Sequence, residues 1–200
     1  MNITLENIEA SPRIAGDHVG LVDEMAQRLL PAVVRGGLFM EFGVWQGNSI
    51  RRLIGAMRKC GIISSPIYGF DSFKGLPEAW GTLGEGSFNI GGYSPDFQDK
   101  GIVIVPGWFN EVLPDFLLNH PGFASFIHID CDVYSSAKYV LTALKDRIIP
   151  GTIILFDEMI NVMDYEQHEF KAFNEFLNEQ NRLAQTLCHG KYQVAFRITK

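Results

Sequence analysis

The sequence predicts an α/β fold, a doubly wound and mostly parallel sheet with helices on both faces. Three observations carry this. Short apolar runs alternate along the chain with segments of helical periodicity. The runs are apolar throughout, as in strands buried on both faces. Several of them end in an acid or a glycine, where open α/β sheets bind ligands.

The elements follow in order. Gly16 to Val34 has helical periodicity through Val19, Val22, Met25, Ala26, Leu29 and Leu30, and Gly36-Gly37 ends it. Leu38 to Val44 is the first strand, and Ser49 to Lys59 reads as a helix. Pro66 leads into a second strand, Ile67 to Phe70, ending at Asp71. Residues 74–98, rich in glycine and proline, read as a long loop. Ile102 to Val105 is the third strand, stopped by Pro106-Gly107. Trp108 to Leu118 reads as a helix whose start Pro114 delays. Phe123 to Asp130 is the fourth strand, and Ser135 to Arg147 a helix capped by Ser135 or Ser136. Thr152 to Phe156 is the fifth strand. A helix from Val162 or Asp164 to Asn181 sets Phe170, Phe173 and Phe176 on one side, as core. Gln185 to Cys188 and Gln193 to Ile198 form a terminal hairpin around His189-Gly190. No repeat, linker or low-complexity segment divides the chain.

Two hundred residues suffice for one well-buried domain. A net charge of −6 with scattered basic residues argues against nucleic acid as a partner. No apolar stretch is long enough to span a bilayer, and Met1 to Glu6 lacks the pattern of a signal peptide. Cys60, Cys131 and Cys188 are odd in number and widely spaced, which argues for a reducing, cytoplasmic setting.

The run Phe39-Met40-Glu41-Phe42-Gly43-Val44-Trp45-Gln46-Gly47-Asn48-Ser49 is the richest in information. A buried strand that breaks into a glycine turn and then a helix leaves backbone N–H groups to cradle a small polar ligand. A dinucleotide fingerprint would place glycine where Trp45 stands, so that a pyrophosphate could approach. The pattern Glu-x-Gly-x-x-x-Gly instead resembles the first motif of S-adenosylmethionine-dependent methyltransferases, whose cationic amino-acid end suits Glu41. A turn without any ligand is the plain alternative.

Acids gather at the other strand ends. Asp71 closes the second strand, where a carboxylate can accept from ribose hydroxyls. The fourth strand ends in His128-Ile129-Asp130-Cys131-Asp132 and the fifth in Asp157-Glu158. If these strands are neighbours, about 5 Å apart, each pair of charges repels by about 3 kcal/mol at an effective dielectric near 20. Such a corner needs a cation or a proton. A hard divalent ion such as Mg²⁺ is the economical solution.

Other residues have a plainer reading beside the functional one. His128, within a strand, reads as a core residue or one behind the site. His168 begins a helix and faces either a substrate or solvent. Cys131 lacks an activating partner in sequence and reads as packing. Trp45 and Trp108 follow strand ends and belong to a ligand site or to the core. The segment from Pro77 to Pro95 is long for a plain connection and reads as a substrate lid or an insertion.

Five motifs occur in order: Glu41 to Ser49, Gly69-Phe70-Asp71-Ser72-Phe73-Lys74-Gly75-Leu76-Pro77-Glu78, Pro106-Gly107-Trp108-Phe109, Ile127 to Ser136, and Phe156-Asp157-Glu158. As a set, from about Leu38 to Phe176, they resemble the macrocin O-methyltransferase family of class I methyltransferases. That resemblance implies a seven-stranded Rossmann-like sheet in the order 3-2-1-4-5-7-6 with a final antiparallel strand. It implies an S-adenosylmethionine donor, with Glu41, Gly43, Gly47 and Ser49 at its amino-acid end. Asp71 would take the ribose, with Ser72 and Phe73 beside it, and Gly107, Trp108 and Phe109 would border the adenine. Asp130 would lie beside the donor and, with Asp157 and Glu158, bind Mg²⁺; Asp132 would be the general base. The family acts on sugars and antibiotics. Many relatives carry Asp-Asp where this chain has Asp157-Glu158. The N-terminal segment is short for the substrate lid or dimer arm of relatives, and a homo-oligomer is an open expectation.

The reading is therefore a metal-assisted O-methyltransferase of a small-molecule hydroxyl. A nucleotide-dependent oxidoreductase and a donor-binding domain without catalysis are the alternatives.

Overall fold

The computed structural model describes residues 2–16 and 18–200. Met1 and Asp17 lie outside the described residues, as do the side chains of His18 and Val19. Part of the span read as helical from Gly16 to Val34 therefore falls there.

A five-residue helix α1 (Leu5–Glu9), capped by Thr4, precedes helix α2 (His18–Leu29). Such a short helix carries no readable periodicity, and the sequence reading misses it. Strand β1 (Leu38–Phe42) leads to α3 (Asn48–Lys59), then β2 (Ile67–Asp71) and β3 (Ile102–Pro106). Helix α4 (Phe109–Asn119), β4 (Ala124–Ile129), α5 (Tyr134–Ala143), β5 (Ile153–Phe156), α6 (Glu169–Glu179), β6 (Ala184–His189) and β7 (Val194–Ile198) follow.

The strands form one seven-stranded mixed sheet, ordered β3-β2-β1-β4-β5-β7-β6. Strands β1 to β5 pair in parallel, while β7 runs antiparallel to β5 and β6. Side chains alternate across each strand, and two cores result. Met40, Phe42, Ile127, Ile129 and Phe156 pack with residues of α4, α5 and α6. Phe39, Phe126, Ile153 and Leu155 pack with α2 and α3 on the opposite face. Both faces are thus covered, which explains the continuously apolar strands.

Local differences from the sequence reading have physical causes. Pro114 does not delay α4 but sits inside it, exposed, where its missing N–H costs one internal bond. Helix α5 begins at Tyr134 behind Val133, with no side-chain cap, because Ser135 Oγ donates instead to Glu78 Oε1 at 2.7 Å. The helix read from Val162 or Asp164 is shorter: a 3₁₀ turn at Tyr165–Gln167 breaks at His168, and α6 starts at Glu169. Phe173 and Phe176 are buried, while Phe170 is half-buried against the same core.

Candidate active site

The carboxyl ends of β1, β2, β4 and β5 open on one cavity of about 510 Å³, within the usual range for small-molecule sites. Gly43, at the end of β1, has φ +92°. A Cβ there would collide with the backbone carbonyl of Asp130. Only glycine permits this approach, and it seats the turn directly against the acid-bearing loop after β4.

The turn is held by Asp71. Its Oδ2 accepts from the backbone N–H of Val44 at 2.8 Å and of Trp45 at 2.7 Å, and its Oδ1 from Phe73 N–H at 2.7 Å. The Val44 and Trp45 donors thus face a carboxylate rather than empty space, which corrects the simple picture of a bare cradle. A carboxylate offers about four acceptor positions, so Asp71, which lines the cavity, keeps one beyond these three. Trp45 itself is 41% exposed, with φ +47°, and meets Phe88 edge-on. It is not a core residue.

Of the residues expected at a donor site, Gly43, Ser49, Asp71, Ser72, Trp108, Phe109 and Asp130 line the cavity. Glu41, Gly47, Phe73 and Gly107 are not among its lining residues. Glu41 is fully buried: its Oε1 accepts from Ser49 Oγ at 2.9 Å, and its Oε2 lies 3.1 Å from His128 Nδ1. Burial pushes its pKa up. Burial works against charge on His128, yet the hydrogen bond and charge of Glu41, then the charge of Asp157, carry that pKa above the ordinary histidine value. Glu41 therefore reaches the cavity only through Ser49. Gly47 is covered by the ring of Phe97, Phe73 is packed in the core on the α3 side, and Gly107 lies under Val112.

Carboxylate oxygens of Asp130, Asp132 and Glu158 all lie within 4.8 Å of one another. Asp157 does not belong to this trio. Its Oδ1 accepts from Gln193 Nε2 at 3.0 Å and lies 4.0 Å from His128 Nε2. Asp132 thus stands where the sequence reading placed Asp157. The trio fits a hard divalent ion on two counts. Its donors are all oxygen, and Glu158 Oε2 is buried without a hydrogen-bond partner among the described residues. Glu158, despite its extra methylene, reaches the other two. Asp132 adopts a strained φ of +62°. Burial, then the charges of Asp157 and Asp71, push its pKa up to about 7.

The sequence reading misses Glu169. Its carboxylate is fully buried beside the trio and accepts from the backbone N–H of Glu158 at 3.3 Å. A signal was present: Glu169 shares the helical stripe of Ala172, Phe173 and Phe176, where an exposed acid would not stand.

A profile described as a methyltransferase domain matches residues 40–159, more than half of the chain. The chain belongs to that methyltransferase-domain family. A curated relative from Streptomyces niveus, demethyldecarbamoylnovobiocin O-methyltransferase, is 24% identical over 142 residues, 61% of this chain. The match spans 52% of that relative, so the chain covers about half its length. Among solved structures, the calicheamicin methyltransferase CalS11 superposes with a TM-score of 0.73 at 24% identity, over 88% of this chain and 77% of that one. The O-methyltransferase NovP gives 0.72 at 20% identity, over 89% and 79%. These likenesses show the shared fold.

In this methyltransferase domain the segment 74–98 forms a wall of the cavity. Gly75, Leu76, Pro77, Trp80 and Phe88 line it, and Trp80 meets the His168 ring edge-on at 6.4 Å. His168 is half-buried, and burial lowers its pKa. The Cys131 thiol, buried among acids, is pushed well above its ordinary value and suits packing rather than nucleophilic attack. Among the described residues, no helix is long and apolar enough to cross a membrane.

Proposed function

We propose that this chain is an S-adenosylmethionine-dependent O-methyltransferase of a small-molecule hydroxyl, assisted by a divalent cation. One observation carries the reading: the glycine turn and the acid trio share one cavity, with Gly43 packed on the Asp130 backbone. Ser49, Asp71 and Ser72, with the rings of Trp108 and Phe109, form the donor side; Asp71 keeps an acceptor position for a ribose hydroxyl. When bound, the donor supplies an electrophilic methyl group on a positively charged sulfur. Asp130, Glu158 and one oxygen of Asp132 would hold the cation, which supplies positive charge that lowers the pKa of an acceptor hydroxyl. Asp132 takes the hydroxyl proton. Burial and the charges of Asp157 and Asp71 raise its pKa to about 7, which offsets the pull of a cation toward lower values. Trp80 and Phe88 exclude water and orient the acceptor for in-line attack.

Trp45 at the turn speaks against a nucleotide-dependent oxidoreductase, because its bulk stands where a pyrophosphate would approach. The intact acid trio speaks against a donor-binding domain without chemistry. The relatives favour a sugar-bearing acceptor: the S. niveus relative is named for demethyldecarbamoylnovobiocin, and CalS11 is also described as a TDP-rhamnose 3′-O-methyltransferase.

The test is transfer of a radiolabelled methyl group to a panel of glycosylated and phenolic acceptors, with and without chelator. Label in an ether product, lost on chelation and restored by Mg²⁺, supports the reading. Transfer indifferent to chelator removes the cation, and no transfer to any acceptor leaves the binding-domain alternative.

A further inference from the structure

Glu169 opens α6 on the face that also carries Ala172, Phe173, Phe176 and Leu177, all buried. A carboxylate in such a stripe has no water to satisfy it, and burying it unpaired is costly. Its Oε2 accepts from the backbone N–H of Glu158 at 3.3 Å, and the carboxylate also lies close to Cys131, whose thiol burial and then this charge push up. Cys131 lies between Asp130 and Asp132 on the loop after β4, whereas Glu158 lies on the loop after β5. One side chain therefore packs against both loops that carry the converging carboxylates and is hydrogen-bonded to the second of them. Its other oxygen, Oε1, is buried without a hydrogen-bond partner among the described residues, as is Glu158 Oε2. Buried polar atoms are normally satisfied, and two orphaned carboxylate oxygens beside a carboxylate trio point to a cation. Glu169 is not one of the trio whose oxygens lie within 4.8 Å of one another. Its place is behind them.

We propose that Glu169 is a positioning residue of the cation site: by accepting from the backbone N–H of Glu158 while packed beside Cys131, it fixes the place of Glu158 relative to Asp130 and Asp132 and so sets the affinity for a divalent cation. The proposal rests on the cation reading of the trio. It separates two substitutions. Glu169→Gln keeps an amide oxygen that can accept from the Glu158 N–H, so the contact survives without the charge. Glu169→Ala removes the contact.

The experiment is titration of the whole chain with Mn²⁺, an oxygen-preferring ion, with free Mn²⁺ read by electron paramagnetic resonance. Binding of S-adenosylhomocysteine is measured on the same samples. Partners behind metal ligands affect affinity by about 10- to 100-fold. That loss is expected for Glu169→Ala, with a clearly smaller loss for Glu169→Gln and unchanged S-adenosylhomocysteine affinity in both. A purely structural role would lower the melting temperature without moving Mn²⁺ affinity. Should Glu169→Ala fail to fold, Glu169→Asp, with the carboxylate drawn back by one methylene, is expected to show the same weakening. Equal losses in the Gln and Ala variants would make charge rather than placement the contribution and overturn the proposal. Mn²⁺ affinity unchanged in every folded variant would overturn it too. A wild-type chain that binds no Mn²⁺ would overturn the cation reading along with it.

Discussion

Asp71 Oδ2 and the backbone N–H of Trp45 meet at 2.7 Å, so the acid that ends β2 is also the tether of the turn that ends β1. Donor binding and turn geometry are thereby coupled through one side chain. Asp71→Ala should weaken S-adenosylhomocysteine binding more than tenfold and also lower stability. Hydrogen bonds to a charged group contribute about 1.5–3 kcal/mol each. Calorimetry beside denaturant melts measures both effects. Weakened binding with no change in stability would detach the tether from the fold.

Trp45 is expected to divide the other way. It is 41% exposed, and substitutions at exposed positions typically change stability by within about 0.5 kcal/mol. A buried tryptophan replaced by alanine would cost about 3–5 kcal/mol. Trp45→Ala should therefore leave the melt nearly unchanged while shifting donor or acceptor affinity. A large stability loss with unaltered binding would return Trp45 to the core.

The acid corner separates Glu158 from its neighbour. Mg²⁺ should raise the melting temperature of the wild-type chain. Asp130→Asn and Glu158→Gln should abolish that rise. Asp157→Asn should keep most of it, because Asp157 is not one of the three whose oxygens converge and its Oδ1 engages Gln193 and His128. Identical behaviour of the Asp157 and Glu158 variants in a thermal-shift titration would contradict the assignment.

The same corner fixes a pH dependence. Burial, then the charges of Asp157 and Asp71, lift Asp132 from an ordinary value of 3.8 to about 7. Between those values the folded chain binds more protons than the unfolded chain, so stability without metal falls as pH rises. Burial pushes Asp130, Glu158 and Glu169 up as well, which adds to the decline. Bound Mg²⁺ displaces these protons. Its stabilising effect should therefore grow from pH 5 to pH 8, as melts in matched buffers would show. A Mg²⁺ effect that shrinks over this range would run against the account.

Much of this was legible in the sequence. Continuous apolar strands and strand-end acids place β1 to β5, and the motif resemblance supplies the strand order that the structure shows. Gly43 and Asp71 could be read because a turn of this kind leaves a chemical signature in consecutive residues. What could not be read depends on contacts across the chain. Asp157 and Glu158 are adjacent in the bend that follows β5, and both line the cavity. Which of them joins Asp130 and Asp132 is decided by His128 of β4 and Gln193, just before β7, which engage Asp157. Glu41 looked like a ligand contact because it precedes the turn, but the alternation of side chains along β1 directs it under Ser49 and against His128. Glu169 lies eleven residues beyond Glu158, and only the packing of α6 over the strand ends brings it there.

The central claim is a methyl-donor site beyond the ends of β1 and β2, and calorimetric titration of the wild-type chain with S-adenosylhomocysteine, NAD and ATP in Mg²⁺ tests it most directly. The account predicts one saturable site for S-adenosylhomocysteine at micromolar affinity and no comparable heat from the other two. Saturable binding of NAD or ATP, with none of S-adenosylhomocysteine, would contradict it.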